Sequence, residues 1–267
     1  MATARAARDR LERPHAYRWR RRGSRGWLDA VRHISRIELE DLQHIERQKR
    51  IIDRNTQQFI HGKPANNVLM TGARGTGKSS LVKAMLAAHG DQGLRLIEVD
   101  KSDLADIVEL VAPRPERYIV FCDDLSFEEG EAGYKALKSV LDGSVSASGD
   151  NVLIYATSNR RHLMPEYMSE NLQASHQANG EIHPGETVEE KVSLSERFGL
   201  WLSFYPFKQD DYLDIVKHWL NWLSELGCSP ESIEASRTEA LQWTLERGSR
   251  SGRVAHQFAC DWAARHV

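Results

Sequence analysis

Apolar positions along the chain change their period three times. From Leu39 to Ile60 they recur at helical spacing, with Leu42, Ile45, Ile52 and Phe59 on one stripe. The segment "HGKPANN", with Gly62 and Pro64, ends that pattern as a loop. Short apolar runs then alternate with helical stripes. "NVLMTG", "LRLIEVD", "YIVFCDD", "NVLIYATSN" and "LWLSF" read as five strands. Ser79–His89 and the stripe Tyr134, Leu137, Val140 and Leu141 read as intervening helices. Strands that alternate with helices predict a parallel five-stranded sheet covered on both faces. After Pro206 the pattern is helical throughout. Tyr212, Ile215, Val216, Trp219, Leu220 and Leu223 form one stripe, a second helix is expected over Glu231–Glu246, and Val254, Phe258 and Trp262 mark a third. The organisation expected is therefore an aperiodic, flexible arm over 1–26, an α/β domain with a leading helix over 27–206 and a helical subdomain over 207–267. Residues 169–190 read as a long polar loop.

Charge sharpens this division. Residues 1–36 hold eleven arginines against Asp9, Glu12 and Asp29, a balance of +8, so the remainder carries −10 within a net −2. A basic arm precedes an acidic body. Its arginines are interleaved with Tyr17, Trp19 and Trp27, which suits packing on the domain, a solvated arm, or contact with nucleic acid or an anionic membrane surface. Cys122, Cys228 and Cys260 are too far apart for a zinc or disulfide framework, and a reducing cytosol is expected. No apolar run approaches the roughly 20 residues of a membrane span. The N-terminus lacks the apolar core of a secretory signal, and Asp9 and Glu12 argue against an organellar presequence.

The chemistry enters with "GARGTGKSS", which is G-x-x-x-x-G-K-S over Gly72–Ser79. It follows an expected strand and opens an expected helix, the context this phosphate loop requires. Gly72, Ala73, Arg74, Gly75, Thr76, Gly77, Lys78, Ser79 and Ser80 are the candidate nucleotide-binding residues. The glycines let backbone N–H groups face one concavity, and the helix N-terminus favours an anion. Lys78 can reach the β- and γ-phosphates of ATP, and Ser79 can ligate Mg²⁺. The strand "YIVFC" then delivers Asp123 and Asp124 to the carboxyl edge of the sheet, where ligands bind. Asp123 is the candidate second metal ligand. Asp124 is the candidate base that orients or deprotonates an attacking water.

Together these residues resemble the AAA+ ATPases, and more closely the bacterial DUF815 family of AAA+ ATP-binding proteins. The resemblance runs from about Tyr17 to the C-terminus. It rests on "RNTQQFIHGKPANNVLMTGARGTGKSSLVKA", "LIEVDK", "FCDDLSFE", "GYKALKSVLDGS", "IYATSNRRHLMPEYM", "SLSERFGLWLSFYPF" and "SGRVAHQFACDW". It implies a cytoplasmic ATPase with a helical lid over 207–267. It implies Asn159 as the sensor of the attacking water or γ-phosphate, and Arg197 as a finger acting on a neighbour's nucleotide, with Arg160 and Arg161 as rivals. It also implies Arg253, with Arg250 as rival, as the lid arginine that reads the γ-phosphate. A finger in trans implies a homo-oligomer. Many related motors carry Glu where this chain has Asp124, a side chain about 1.5 Å shorter in reach.

Two functions follow. One is hydrolysis of Mg·ATP that remodels or assembles a macromolecular partner. The alternative is a slow nucleotide-gated switch resembling a helicase loader, contacting nucleic acid through the arm. A nucleic-acid-binding regulator led by the arm is a further rival. A small-molecule kinase on the same loop is disfavoured by Asn159, Arg197 and the helical C-terminus. Asn66 and Asn67 are expected either to shape the loop near the nucleotide or to serve a turn. The adenine pocket is expected along Leu42–Ile52. His176 and His183 match no metal-ligand spacing, and Trp219, Trp222, Trp243 and Trp262 are expected in core and interface.

Overall fold

The computed structural model describes residues 15–23, 25–34, 37–127, 132–142, 150–159, 175–176, 182–183, 196–223 and 230–266. Its centre is β5 (Arg117–Cys122), whose residues after Arg117 are all buried, flanked by β4 (Leu94–Glu98) and β6 (Val152–Ser158). Strands buried on both faces need unbroken apolar runs, which is how these segments read. β3 (Val68–Gly72) pairs in parallel with β6 on one side and with β9 (Leu200–Phe204) on the other.

The sheet has seven strands among the described residues, not five, in the order β2-β1-β4-β5-β6-β3-β9. The added strands are β1 (Ala16–Arg22) and β2 (Arg25–Ala30). β1 runs parallel to β4, with Tyr17 opposite Ile97, and antiparallel to β2, so the sheet is mixed. The second half of the expected flexible arm is thus built into the sheet edge. The cause is the alternation of Tyr17 and Trp19 with arginines, a period of two that buries one face and solvates the other. Gly26 is needed there because a Cβ would stand 1.9 Å from the Trp19 indole.

Helices cover both faces. α1 (Glu46–Ile60) and α2 (Lys78–His89) pack on one, and α3 (Leu104–Val111) and α4 (Ala132–Leu141) on the other. The expected helix over Leu39–Ile60 is shorter than its pattern. A 3-10 turn at Leu39–Asp41 is separated from α1 by His44, whose φ of 62° ends helical bonding. Buried Tyr155 ties α1 to the sheet, exchanging hydrogen bonds with Asn55 Nδ2 (3.1 Å) and Thr56 Oγ1 (2.8 Å). Burial pushes its phenol up to about 12. Buried Cys122 is likewise pushed up to about 12, which makes it an inert packing thiol.

The C-terminal helices are α5 (Gln209–Trp222), α6 (Pro230–Ala235), α7 (Arg237–Arg247) and α8 (Gly252–His266). The single helix expected over 231–246 is two. Ser236 breaks it, its hydroxyl donating to Ile233 O at 2.6 Å in place of a continued helical bond. α5 and α8 bury the expected stripes, with Tyr212, Phe258 and Trp262 in the same core as α2. Within 169–190, β7 (Ser175–His176) and β8 (Ile182–His183) pair antiparallel. No described helix is long and apolar enough to cross a membrane.

Candidate functional site

The carboxyl ends of β3, β5 and β6 meet at one edge of the sheet, and three functional segments emerge there. From β3 comes the phosphate loop. Gly72 ends the strand at φ 127°, and a Cβ on it would lie 1.9 Å from Phe204 O of β9. Gly75 (φ 72°) and Gly77 (φ 98°) occupy left-handed backbone that other residues rarely adopt. Helix α2 starts at the next residue, so its first N–H groups point into the loop.

Lys78 is buried, and its ammonium donates to Gly72 O and Ala73 O at 2.7 Å each and to Asn159 Oδ1 at 3.2 Å. Burial holds Lys78 below its usual range. Asp123 and Asp124 pull it back up, and Arg74 and Arg253 push it further down. Thr76 Oγ1 closes the loop on Ala73 O at 2.8 Å.

β5 delivers Asp123 and Asp124. Asp123 Oδ1 accepts hydrogen bonds from Ser79 Oγ at 2.7 Å and from Thr157 Oγ1 at 2.5 Å. The same Thr157 oxygen accepts from Asp124 N at 2.9 Å, and Leu125 N donates to Thr157 O at 2.6 Å. The paired acids are therefore clamped to β6. Asp124 sits at φ 54°, a left-handed conformation for a non-glycine residue, and its carboxylate accepts from Asn159 Nδ2 at 2.6 Å. Asn159 thus bridges Lys78 and Asp124.

A cleft of about 750 Å³ opens over these groups. Arg74 to Ser80, Asp123, Asp124, Asn159 and Arg253 line it, while Gly72 and Ala73 lie behind the loop. Arg253 arrives on α8, whose start is docked on the phosphate loop: Gly252 N donates to Gly75 O at 2.9 Å. A Cβ on Gly75 would stand 2.7 Å from Ser251 Oγ, so glycine permits this approach. Arg250 is not in the lining. Arg197 is also outside this cleft, and its Nε donates to Asp142 Oδ1 at 2.6 Å. Arg160 and Arg161 lie outside the described residues.

Part of the cleft wall is apolar. Leu42 and Ile45 from the segment before α1 face Phe207, Ile215, Trp219 and Trp222. The expected segment contributes only its first residues, because Ile52 is turned into the core. Trp219 and Trp222 line the cleft rather than serving only as core, with Trp222 60% exposed. Trp219 stands edge-on to His256, centroids 4.7 Å apart. Three histidine–carboxylate contacts close this side. His44 bridges Asp211 (3.4 Å) and Asp214 (3.2 Å) of α5, and His218 meets Asp41 at 3.3 Å. Asn66 and Asn67 stand at the opposite end of β3 from the phosphates. Asn66 is held by Asn55 and Asn67 Oδ1 accepts from Ile154 N, so they serve the sheet and not the loop.

Thr157 is the residue of this candidate site that the reading of the chain missed. Its signal is its place near the carboxyl end of β6, two residues before Asn159.

The donor set fits a nucleotide-borne Mg²⁺. The oxygens of Ser79 and Asp123 stand side by side at the loop, and Mg²⁺ binds through one or two protein oxygens together with phosphate and water. Among the described residues no group of three or more His, Cys, Asp or Glu could hold a metal alone.

Comparison with known proteins agrees with this architecture. The family model described as "Protein of unknown function (DUF815)" matches residues 12–266. No curated protein matches the chain in sequence. Among solved structures, a point mutant of Thermotoga maritima RuvB is similar at TM-score 0.52 and 14% identity, covering 85% of this chain and 64% of that one. The Aeropyrum pernix ORC1 protein in complex with DNA is similar at TM-score 0.52 and 18% identity, covering 80% and 58%. The chain thus spans less than two thirds of either protein. At these identities the likeness shows the fold, an α/β P-loop fold of the AAA+ type.

Proposed function

Because this chain belongs to the DUF815 family and carries the site described above, we propose that it binds Mg·ATP and hydrolyses it to ADP and phosphate in order to remodel or assemble a macromolecular partner. One observation carries the reading. Ser79 and Thr157 converge on Asp123 at the mouth of the phosphate loop, with Asp124 and Asn159 hydrogen-bonded beside it.

In this reading the N–H groups of Gly75 to Ser79 and the Lys78 ammonium bind the phosphates. Lys78 exchanges its loop carbonyl partners for phosphate oxygens, which are better acceptors for a buried cation. Ser79 and Asp123 would hold Mg²⁺, which would supply neutralisation of phosphate charge. Asn159 and Asp124 position the water for in-line attack, and Asp124 accepts its proton. The base stacks on the apolar part of the cleft wall near Trp219. Arg253 reads the γ-phosphate. Its helix is bonded to Gly75, so a change at the phosphates shifts the helical subdomain. Arg197 acts on a neighbouring copy's nucleotide, which makes the active form a homo-oligomer. ATPase rate per subunit, measured against protein concentration with Mg²⁺, tests this. The rate climbs with concentration and saturates. A flat rate near zero despite ATP binding overturns autonomous hydrolysis.

A slow nucleotide-gated switch is favoured by one specific contact. The Asp124 carboxylate, shorter than glutamate, is engaged by Asn159 Nδ2 at 2.6 Å. A base so held is retracted from a water until Asn159 turns away. Single-turnover hydrolysis much slower than ATP binding, at saturating protein, identifies the switch.

A further inference from the structure

The two strands at the sheet edge carry a surface that the ATP site does not use. Register divides their side chains. Tyr17, Trp19 and Leu28 pack inward against the core that α3 and α4 cover. The other face holds Arg18, Arg20 and Arg22 of β1 beside Asp29, Trp27 and Arg25 of β2, paired in that order. All six are exposed, including Trp27 at 44%, a large apolar side chain that folding ordinarily hides.

The charge on this face is only partly answered. Arg18 is bound to Glu98 at 2.8 Å, and Arg20 lies 3.6 Å from Asp29. Arg22 and Arg25, opposite each other at the tip, have no acidic partner among the described residues. Four arginines face two carboxylates, so the strip is cationic, most strongly at its tip. Alternate residues on one strand recur every ~6.6 Å, a step comparable to that of successive phosphates along an extended polynucleotide. Trp27 stands directly across from Arg20, with Arg25 on one side and Asp29 on the other, so two of its three nearest neighbours on this face are cationic.

We propose that the outer face of β1–β2 binds single-stranded nucleic acid, with phosphates on Arg20, Arg22 and Arg25 and one base stacked on Trp27. An aromatic ring set among cations on a flat sheet face matches how unpaired bases are held. An anionic membrane fits less well, because insertion needs an apolar side chain at the leading tip. Here the tip is Arg22, Gly23 and Arg25, with Trp27 set back. A duplex keeps its base faces stacked and cannot use Trp27.

The test is fluorescence anisotropy of labelled oligo(dT) with the full chain across a salt series. Three phosphate contacts predict a log K against log salt slope of about −2. Arg22→Glu with Arg25→Glu lowers it to about −0.7. Arg22→Gln with Arg25→Gln does the same if the acidic pair disturbs folding, which circular dichroism reports. Trp27→Ala weakens binding about tenfold without changing the slope. Nucleotide binding at the distant loop is unchanged in these variants, which shows that they fold. Wild-type affinity in the charge variants, equal affinity for duplex, or binding to phosphatidylserine vesicles that oligo(dT) does not compete overturns the proposal.

Discussion

Thr157→Val removes one hydroxyl and nothing else of size, from a side chain that is 1% exposed. That hydroxyl makes two bonds, donating to Asp123 at 2.5 Å and accepting from Asp124 N at 2.9 Å. The first goes to a carboxylate, but an exposed one, so it belongs at the low end of the range for charged partners, about 1.5 kcal/mol. Leaving the Asp124 N–H without its acceptor adds about 1 kcal/mol. A loss of about 2.5 kcal/mol lowers Tm by roughly 5–10 °C in a domain of this size. The functional loss should be larger than the structural one. With the clamp gone, Asp123 and Asp124 are free to drift, and a displacement near 1 Å costs on the order of 100-fold in rate. The assay pairs thermal unfolding with steady-state ATPase across a Mg²⁺ titration, and fluorescent-ADP binding serves as the control for the loop. Thr157→Ser keeps the hydroxyl and restores most of the rate. A valine variant with wild-type rate and metal dependence would refute the clamp, whatever its Tm.

Further outcomes are expected of the same site. Arg197→Ala abolishes hydrolysis but keeps ATP binding, and mixing it with Lys78→Ala subunits recovers activity if each supplies what the other lacks; inert mixtures refute a finger in trans. ATP changes tryptophan emission through Trp219 and Trp222, and Trp222→Phe reduces that change at saturating nucleotide; an undiminished signal places the base elsewhere. Lys78 attracts phosphate only as the ammonium, and burial depresses its ionisation. Nucleotide affinity therefore falls with rising pH, starting below the ordinary lysine value of 10.5. ATP binding above that onset takes up protons, seen as a buffer-dependent binding heat; pH-independent affinity up to 10.5 refutes the depressed value.

The elements that came through from the chain are those whose fate is decided locally. "GARGTGKSS" carries its own glycines and helix start, and β3, β5 and β6 are apolar on both faces, so each reads correctly before any neighbour is known. α3 is legible too, because Leu104, Ile107, Val108 and Val111 stand at i, i+3, i+4 and i+7, though over only 8 residues. The hairpin β1–β2 was harder. Half its residues are arginine or other polar groups, and only pairing with β4 gives Tyr17 and Trp19 a core to enter.

Glycine geometry, charge and hydrophobic period act over a few residues, so the phosphate loop, the acid pair, the central strands and the helical C-terminus are already written in the chain. Folding had to bring the strands together before Thr157 could clamp both aspartates, Asn159 bridge Lys78 to Asp124, and α8 begin on Gly75. The same holds for the seating of Trp219 and Trp222 over the cleft and for the arginine face of the sheet edge. Each of these joins residues far apart in the chain, and hydrogen bonds and packing between such residues exist only once parallel strands have brought their ends to one edge.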